Sequence, residues 1–272
     1  MAKTLDIPQP KLSSLLNLEG KAAIVTGGAG WLGTSICEVL AELGAKIFVA
    51  SRDPSKHMNI KNSISKLTNS EIESVNLNLT NEESIKSCFA KVADRAGRID
   101  ILINNAYSGP SHSFIQTSVS EWKEIIDIGL TGYFIAMKEA TTYMQNSGGG
   151  VIVNVASMYG MVSPDFSIYQ NTQLPSSPAY GAAKAGIIQL TRYAACSLAP
   201  YNIRVNSLSL GPFPAKPAQE DETFVSNLAA KTPLKRIGSP WEIKGAIAFL
   251  TTQASSYVTG QNLVVDGGWT AW

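Results

Sequence analysis

Short apolar runs, many of them β-branched, punctuate the chain at Ala22–Val25, Lys46–Ala50, Ile72–Leu77, Ile101–Asn104, Val151–Ala156, Ile203–Leu208 and Asn262–Val265. Most are continuous rather than alternating, the pattern of strands covered on both faces of a parallel sheet. Between them lie longer stretches with helical spacing. Ile36, Val39, Leu40 and Leu43 form one stripe that ends at Gly44, and Asn81-Glu82-Glu83, Ser120-Glu121-Trp122 and Pro240-Trp241-Glu242 each carry helix-start signals. Strands alternating with helices predict right-handed crossovers and an α/β fold: a doubly wound parallel sheet of about seven strands flanked by helices. A single domain is expected over residues 1–272, with residues 1–16 as a loosely held arm.

Two irregular segments interrupt the alternation. Val162–Ser177 is rich in Ser, Pro, Asn and Gln, and Pro212–Glu222 is rich in proline. Both are expected at the carboxyl edge of the sheet, where open α/β folds bind ligands.

The first strand runs into Thr26-Gly27-Gly28-Ala29-Gly30-Trp31-Leu32-Gly33 and then a helix. Gly28, Gly30 and Gly33 satisfy G-x-G-x-x-G in its required strand–turn–helix context, which suits a pyrophosphate at a helix N-terminus. After the second strand, an acidic residue would bind a ribose 2′-OH and repel a 2′-phosphate. Here the chain reads Ala50-Ser51-Arg52. Ser51 can donate to a phosphate and Arg52 can pair with one, so NADP is expected in preference to NAD, with Asp53 the one opposing feature.

Farther on, Tyr180-Gly181-Ala182-Ala183-Lys184 places a phenol and an ammonium on one helical face, with Ser157 upstream. A cation beside Tyr180 would favour the phenolate and lower a pKa ordinarily near ~10.

Composition changes this picture little. The chain has 272 residues, 44% apolar and 16% charged, with a formal net charge of +1. That balance gives no electrostatic basis for nucleic acid or an anionic membrane surface, and no run reaches the ~18 apolar residues of a membrane span. Cys37, Cys88 and Cys196 are odd in number and far apart, as expected of free thiols in a reducing cytoplasm. His57 and His112 share no ligand spacing with them, so no metal site and no histidine base are expected.

The Thr-Gly-rich turn, Ile103-Asn104-Asn105-Ala106, Ser157, Tyr180 with Lys184, and Gly260 to Val265-Asp266-Gly267-Gly268 occur in the order of the short-chain dehydrogenase/reductase family. The chain resembles the classical type of that family from about Leu18 to Trp269, with an enlarged substrate loop. The resemblance implies that the sheet is Rossmann-like and the single domain 1–272 both dinucleotide-binding and catalytic, that Ser157, Tyr180 and Lys184 are catalytic, and that the protein is a homo-oligomer, a tetramer or dimer. It implies cofactor contacts from Gly27, Gly30, Trp31 and Leu32 at the turn and from Ser51, Arg52, Asn78 and Leu79 near the adenine. Asn105, Ala106 and Tyr107 would lie along the cofactor, and Leu210, Gly211 and Phe213 near the nicotinamide.

Departures from the pattern are informative. Tyr107 replaces the glycine usual after Asn-Asn-Ala, Trp31 stands at a common glycine, and Gly129 stands at a catalytic-network asparagine. The interval from Ser157 to Tyr180, 180 − 157 = 23 residues, is long for the classical type. The function implied is NADP(H)-dependent interconversion of a carbonyl and a secondary alcohol on a polar, sugar-like small molecule, since Ser163, Asp165, Ser167, Tyr169, Gln170, Asn171, Thr172 and Gln173 offer many hydrogen-bonding groups. The alternatives are a 3-oxoacyl-thioester reductase, with Lys231, Lys235 and Arg236 meeting an acidic carrier; an NADP-binding sensor or scaffold with weak catalysis; and a nucleotide-sugar epimerase or dehydratase.

Overall fold

In a computed structural model describing residues 9–53, 60, 64, 68, 70–169 and 175–272, all seven apolar runs are strands of one sheet. They are β1 Ala22–Thr26, β2 Lys46–Ser51, β3 Ile72–Asn76, β4 Ile101–Asn104, β5 Gly150–Ser157, β6 Ile203–Leu210 and β7 Asn262–Val265. Every pairing is parallel and the order is β3-β2-β1-β4-β5-β6-β7. The chain winds outward from β1 through β3, then returns to β4 on the other side of β1. That reversal opens a crevice at the carboxyl ends of β1 and β4, where doubly wound sheets take their ligands.

Helices cover both faces, as the continuous apolar strands require. On one face α3 (Glu82–Ala96), α5 (Gly132–Asn146) and α6 (Pro178–Leu198) pack with Ile24, Phe48, Leu102 and Ile152. On the other, α2 (Trp31–Glu42) and α9 (Lys244–Thr251) close over Val25, Ile47, Val49 and Val153. Each fully buried Ile, Leu or Phe contributes roughly 1.5–3 kcal/mol relative to exposure. Strands that alternated in polarity would forfeit half of that. A smaller cluster, Met158, Ile168, Phe224, Leu228 and Trp269, sits under α8 (Glu222–Lys231), with Ala218 of the short α7 (Lys216–Gln219) packed against it.

Local signals set the boundaries. The Asn81 side chain accepts from the Ser84 amide to start α3, and Gly97 ends it at φ 71°. The helix expected from Ser120 starts earlier: Ser118 caps α4 (Val119–Ile126), and Glu121 completes a reciprocal capping box. The Pro240 segment opens as a 3₁₀ turn, Pro240–Ile243, before continuing into α9.

Of the arm expected over residues 1–16, residues 1–8 lie outside the described residues. Leu12–Leu15 form a helical turn, α1, with Ser14 donating to the Lys11 carbonyl and the following Leu16 and Leu18 turning inward. Of the two C-terminal tryptophans, Trp269 packs into the chain's own core while Trp272 is 74% exposed. No helix among the described residues is long and apolar enough to cross a membrane.

Candidate active site

The glycine turn is held rigidly before any ligand is considered. The Thr26 hydroxyl accepts from the backbone amides of Asn105 (2.9 Å) and Ala106 (3.0 Å), while the Asn105 carboxamide donates to the carbonyls of Thr26 and Gly27, each at 3.1 Å. The ends of β1 and β4 are therefore stapled together, a role for Thr26 that its place in a motif did not reveal. Gly27 adopts φ +63°, and a Cβ there would stand 2.8 Å from the Ala106 Cα. A Cβ on Gly33 would collide with the Gly27 carbonyl oxygen.

Gly28, expected as part of the nucleotide fingerprint, faces the other way. Its missing Cβ makes room for the Cys37 sulfur, 2.8 Å from where that Cβ would stand, so Gly28 packs α2 on the core. The backbone of Gly27 and Gly30 forms the cleft side. Gly30 caps α2 without a side-chain bond, and the first-turn amides of Trp31, Leu32 and Gly33 have no partner within the helix. They border a cleft of about 700 Å³. Unpaired donors, a positive helix end and a cradle that a Cβ would fill suit a dinucleotide pyrophosphate.

The other predicted residues line the same cleft. Ser51, Arg52, Asn78 and Leu79 form one end, Asn105, Ala106 and Tyr107 the middle, and Ser157, Tyr180, Lys184, Leu210, Gly211 and Phe213 the far end. The Arg52 guanidinium donates to the Ser108 hydroxyl at 3.4 Å across the mouth, with Asp53 beside it on the rim. At the far end Gly211 is backed by the Asp266 backbone, and Phe213 lies against Gly238.

Ser157 ends β5, in register with Leu210 at the end of β6. Its hydroxyl accepts from the Tyr159 amide at 3.1 Å. The turn Met158–Gly160 then packs on α6 through two glycines: a Cβ on Gly160 would stand 2.7 Å from the Lys184 carbonyl carbon, and one on Gly181 3.0 Å from the Tyr159 carbonyl oxygen. This close approach carries Ser157 to Tyr180, in the first turn of α6, where the serine hydroxyl favours the phenolate form.

Lys184 is one helical turn farther on. Its Nζ donates to the Val155 carbonyl at 2.6 Å and stands 5.2, 5.7 and 6.0 Å from the ring centroids of Tyr133, Tyr180 and Tyr107. Tyr107 meets Tyr180 edge-on, with centroids 4.7 Å apart.

The expected phenolate is corrected here. Burial raises the Tyr180 phenol above its ordinary value, opposed by the nearby Ser157 hydroxyl. Burial also pulls Lys184 down to about 7. With both groups in a low-dielectric pocket, each favours its neutral form, and a neutral amine brings no positive charge to hold a phenolate.

Gly129 sits in a π-helical turn, Asp127–Thr131, between α4 and α5. A Cβ there would make an ordinary 3.4 Å contact with the Ala183 Cβ, so space does not demand glycine. Gly129→Ala should raise stability by about 0.5–1 kcal/mol, the usual gain for removing an interior helical glycine, read from the denaturant midpoint.

The polar segment after Ser157 uses many of its groups on itself. Asp165 accepts from Ser167 and pairs with Lys231 at 2.6 Å, and the Tyr159 and Tyr169 hydroxyls lie 2.6 Å apart. Ser163 is exposed, while Gln170, Asn171, Thr172, Gln173 and His57 lie outside the described residues. Two of the three cations of the expected basic patch are paired with carboxylates. Lys231 is taken by Asp165, Arg236 forms a two-bond pair with Glu242, and Lys235 donates to the Ala230 carbonyl.

Comparison with known proteins agrees with this arrangement. A family profile described as enoyl-(acyl carrier protein) reductase matches residues 28–270. The chain is 34% identical to the 3-oxoacyl-(acyl-carrier-protein) reductase FabG of Thermotoga maritima, over 93% of this chain and 99% of that one. It is 31% identical to the 5-keto-D-gluconate 5-reductase of Escherichia coli K12, over 94% of this chain and 98% of the relative. A crystal structure of gluconate 5-dehydrogenase from Burkholderia cenocepacia J2315, in complex with NADP and tartrate, superimposes with a TM-score of 0.87 at 26% identity, covering 96% of this chain and all of that one. With the parallel sheet, the uncapped glycine turn and the Ser157–Tyr180–Lys184 cluster on one cleft, these matches establish that the chain belongs to the short-chain dehydrogenase/reductase family, the NAD(P)-dependent oxidoreductases that interconvert carbonyls and alcohols.

Proposed function

We propose that this enzyme is an NADP(H)-dependent reductase of a polar, sugar-like carbonyl compound, with Ser157, Tyr180 and Lys184 as its catalytic residues. The observation that carries the reading is their convergence at one end of a cleft whose other end offers unpaired helix amides and a guanidinium. A nicotinamide dinucleotide bound there supplies the hydride donor or acceptor. The amides of Trp31, Leu32 and Gly33 would hold its pyrophosphate, Ser51 and Arg52 a 2′-phosphate, and Asn78 and Leu79 the adenine side. Phe213, with Leu210 and Gly211, walls the opposite end.

The chain's own contribution is proton movement and orientation. Ser157 donates to the substrate oxygen and stabilises its developing charge. Tyr180, kept protonated by burial, donates its proton to the same oxygen in reduction and receives it back in oxidation. Lys184, anchored on Val155, orients the phenol and takes part in proton supply from within the pocket.

The cofactor preference rests on Arg52 and on the absence of a carboxylate at Ala50 or Ser51. A charge-assisted bond contributes about 1.5–3 kcal/mol, so Arg52→Ala should weaken NADPH binding roughly ten- to a hundred-fold and leave NADH nearly unchanged. Fluorescence titration with both cofactors reads the ratio. An unchanged ratio would reassign Arg52 to the solvent.

The polar substrate is supported by similarity to the keto-gluconate reductase and by the Tyr159–Tyr169 hydroxyl pair on the substrate-side turn. The described part of the segment Val162–Ser177 folds against α8 in a way that fits an enlarged substrate loop. A 3-oxoacyl-thioester reductase is the second reading, favoured by similarity to FabG. The compensated Lys231 and Arg236 argue against it, because an acidic carrier protein needs unpaired cations. Three unpaired cysteines, two of them buried, fit a cytoplasmic protein, and the expected homo-oligomer accords with exposed Phe134 and Tyr193 on neighbouring helices.

Following NADPH absorbance against ketoses, keto-sugar acids, acyl thioesters and simple ketones tests the assignment. The polar carbonyls should turn over fastest. Exclusive use of acyl thioesters would move the assignment to the second reading, and no turnover with any carbonyl would sink both.

A further inference from the structure

We propose that Tyr107 is a positioning residue for the Tyr180–Lys184 pair: its ring fixes the plane of the phenol and keeps water from the amine. This rests on the assignment of Tyr180 as proton donor. The motif it interrupts ordinarily ends in glycine, so the ring is an addition to the usual site.

Three observations support it. First, the contact is direct and oriented: the Tyr107 ring meets Tyr180 at 4.7 Å with an interplanar angle of 65°, an edge contact that aromatic quadrupoles favour. Second, Lys184 borders a wide cleft yet is only 2% exposed. Of the rings around its Nζ, Tyr133 is fully buried beneath it and Tyr180 is its partner in chemistry, which leaves Tyr107 as the cover on the cleft side.

Third, Tyr107 stands on a fixed base. The preceding residue, Ala106, has its amide bound to Thr26 and its carbonyl bound by the Tyr133 hydroxyl at 3.0 Å. Beyond the ring, Gly109 leaves room for the phenol oxygen, which would lie 3.2 Å from a Cβ at that position.

The groups facing Lys184 are thus Tyr107 from the segment after β4, Tyr133 from α5, Tyr180 from its own helix and the Val155 carbonyl from β5. Among the described residues no carboxylate pairs with it, and burial alone sets its proton affinity. Removing the Tyr107 ring admits water, which returns Lys184 toward the ordinary lysine range and frees the phenol to rotate.

The test uses the full chain with Tyr107→Gly and Tyr107→Phe. In the cofactor-free protein, ε-carbon NMR of ¹³C-labelled lysine follows Lys184, its signal assigned by loss in Lys184→Met. The parent should titrate near 7. Tyr107→Gly should move the midpoint up by at least about one pH unit as solvation is restored, and Tyr107→Phe should stay close to the parent. In steady-state reduction, Tyr107→Gly should lower kcat about tenfold with KM for NADPH within about threefold, and Tyr107→Phe should recover most of that loss, as a misplaced catalytic group predicts.

An unmoved Lys184 midpoint in Tyr107→Gly overturns the proposal. So does a phenylalanine variant as impaired as the glycine variant, which would make the hydroxyl the agent. A raised NADPH KM with intact kcat would make Tyr107 a cofactor wall instead. If the parent protein reduces no carbonyl, the proposed function fails on its own, and the lysine titration still decides the role of Tyr107.

Discussion

Tyr180→Phe is expected to bind NADPH within about threefold of the parent while carbonyl reduction falls roughly a hundred- to ten-thousand-fold, the range that a positioned proton donor supplies. The substitution keeps the ring, and with it the edge contact to Tyr107 and the proximity to Lys184. It removes one hydroxyl. Ser157 still accepts from the Tyr159 amide, so the turn that places it is retained. A loss confined to kcat therefore isolates proton transfer, whereas a matching loss of NADPH affinity would show that the phenol is a binding group.

The direction of the pH dependence follows from the environment of Tyr180. Because burial raises its pKa, the phenol keeps its proton up to and beyond its ordinary value near ~10. Reduction, which needs the protonated form, should hold through neutral pH and fall only on the alkaline side. Oxidation, which needs the phenolate, should rise with pH over the same range. Both limbs should vanish in Tyr180→Phe. A reduction rate that falls with a midpoint near neutrality and persists in the variant would assign the limb to another group, with Lys184, at about 7, the first to examine.

Most of this site was legible because it is local in the chain. The glycine turn, Asn105-Ala106 and Tyr180 with Lys184 are each a few residues long, and the alternation of apolar runs says that all end at one edge of one sheet. What stayed hidden depends on contacts between distant segments. Gly28 and Gly27 are adjacent in sequence, and only the packing of α2 shows that Gly28 makes room for Cys37 while Gly27 meets Ala106. The protonation of Tyr180 was misjudged because a spacing of four residues reports proximity to Lys184 but not burial of both. The polar groups after Ser157 looked free for a ligand, yet Asp165 is claimed by Lys231, 231 − 165 = 66 positions away. Pairing across that distance leaves no local trace.

Gly33→Ala is expected to abolish measurable NADPH binding under conditions where the parent saturates. A methyl group at this position would run into the Gly27 carbonyl oxygen and stand 2.7 and 2.8 Å from the Gly28 Cα and carbonyl carbon. All three obstacles are backbone, so no rotamer change relieves them. Either the turn or the start of α2 must shift, and the amides of Trp31 and Leu32 shift with it. Forcing a methyl group into so close a contact costs about 1–3 kcal/mol in stability, small enough for the sheet to survive. Gly28→Ala provides the contrast. Its Cβ meets the side chains of Cys37 at 2.8 Å and Val49 at 3.1 Å, so the strain lies in the core, and the double variant with Cys37→Ala should recover most of the lost stability. The expected pair of results is a folded Gly33→Ala protein, by circular dichroism, that no longer quenches or shifts NADPH fluorescence, beside a relieved Gly28→Ala/Cys37→Ala protein that binds NADPH. Normal binding by Gly33→Ala would mean that the approach of α2 to the glycine turn does not build the pyrophosphate site, and the cleft would then need another entry for the dinucleotide.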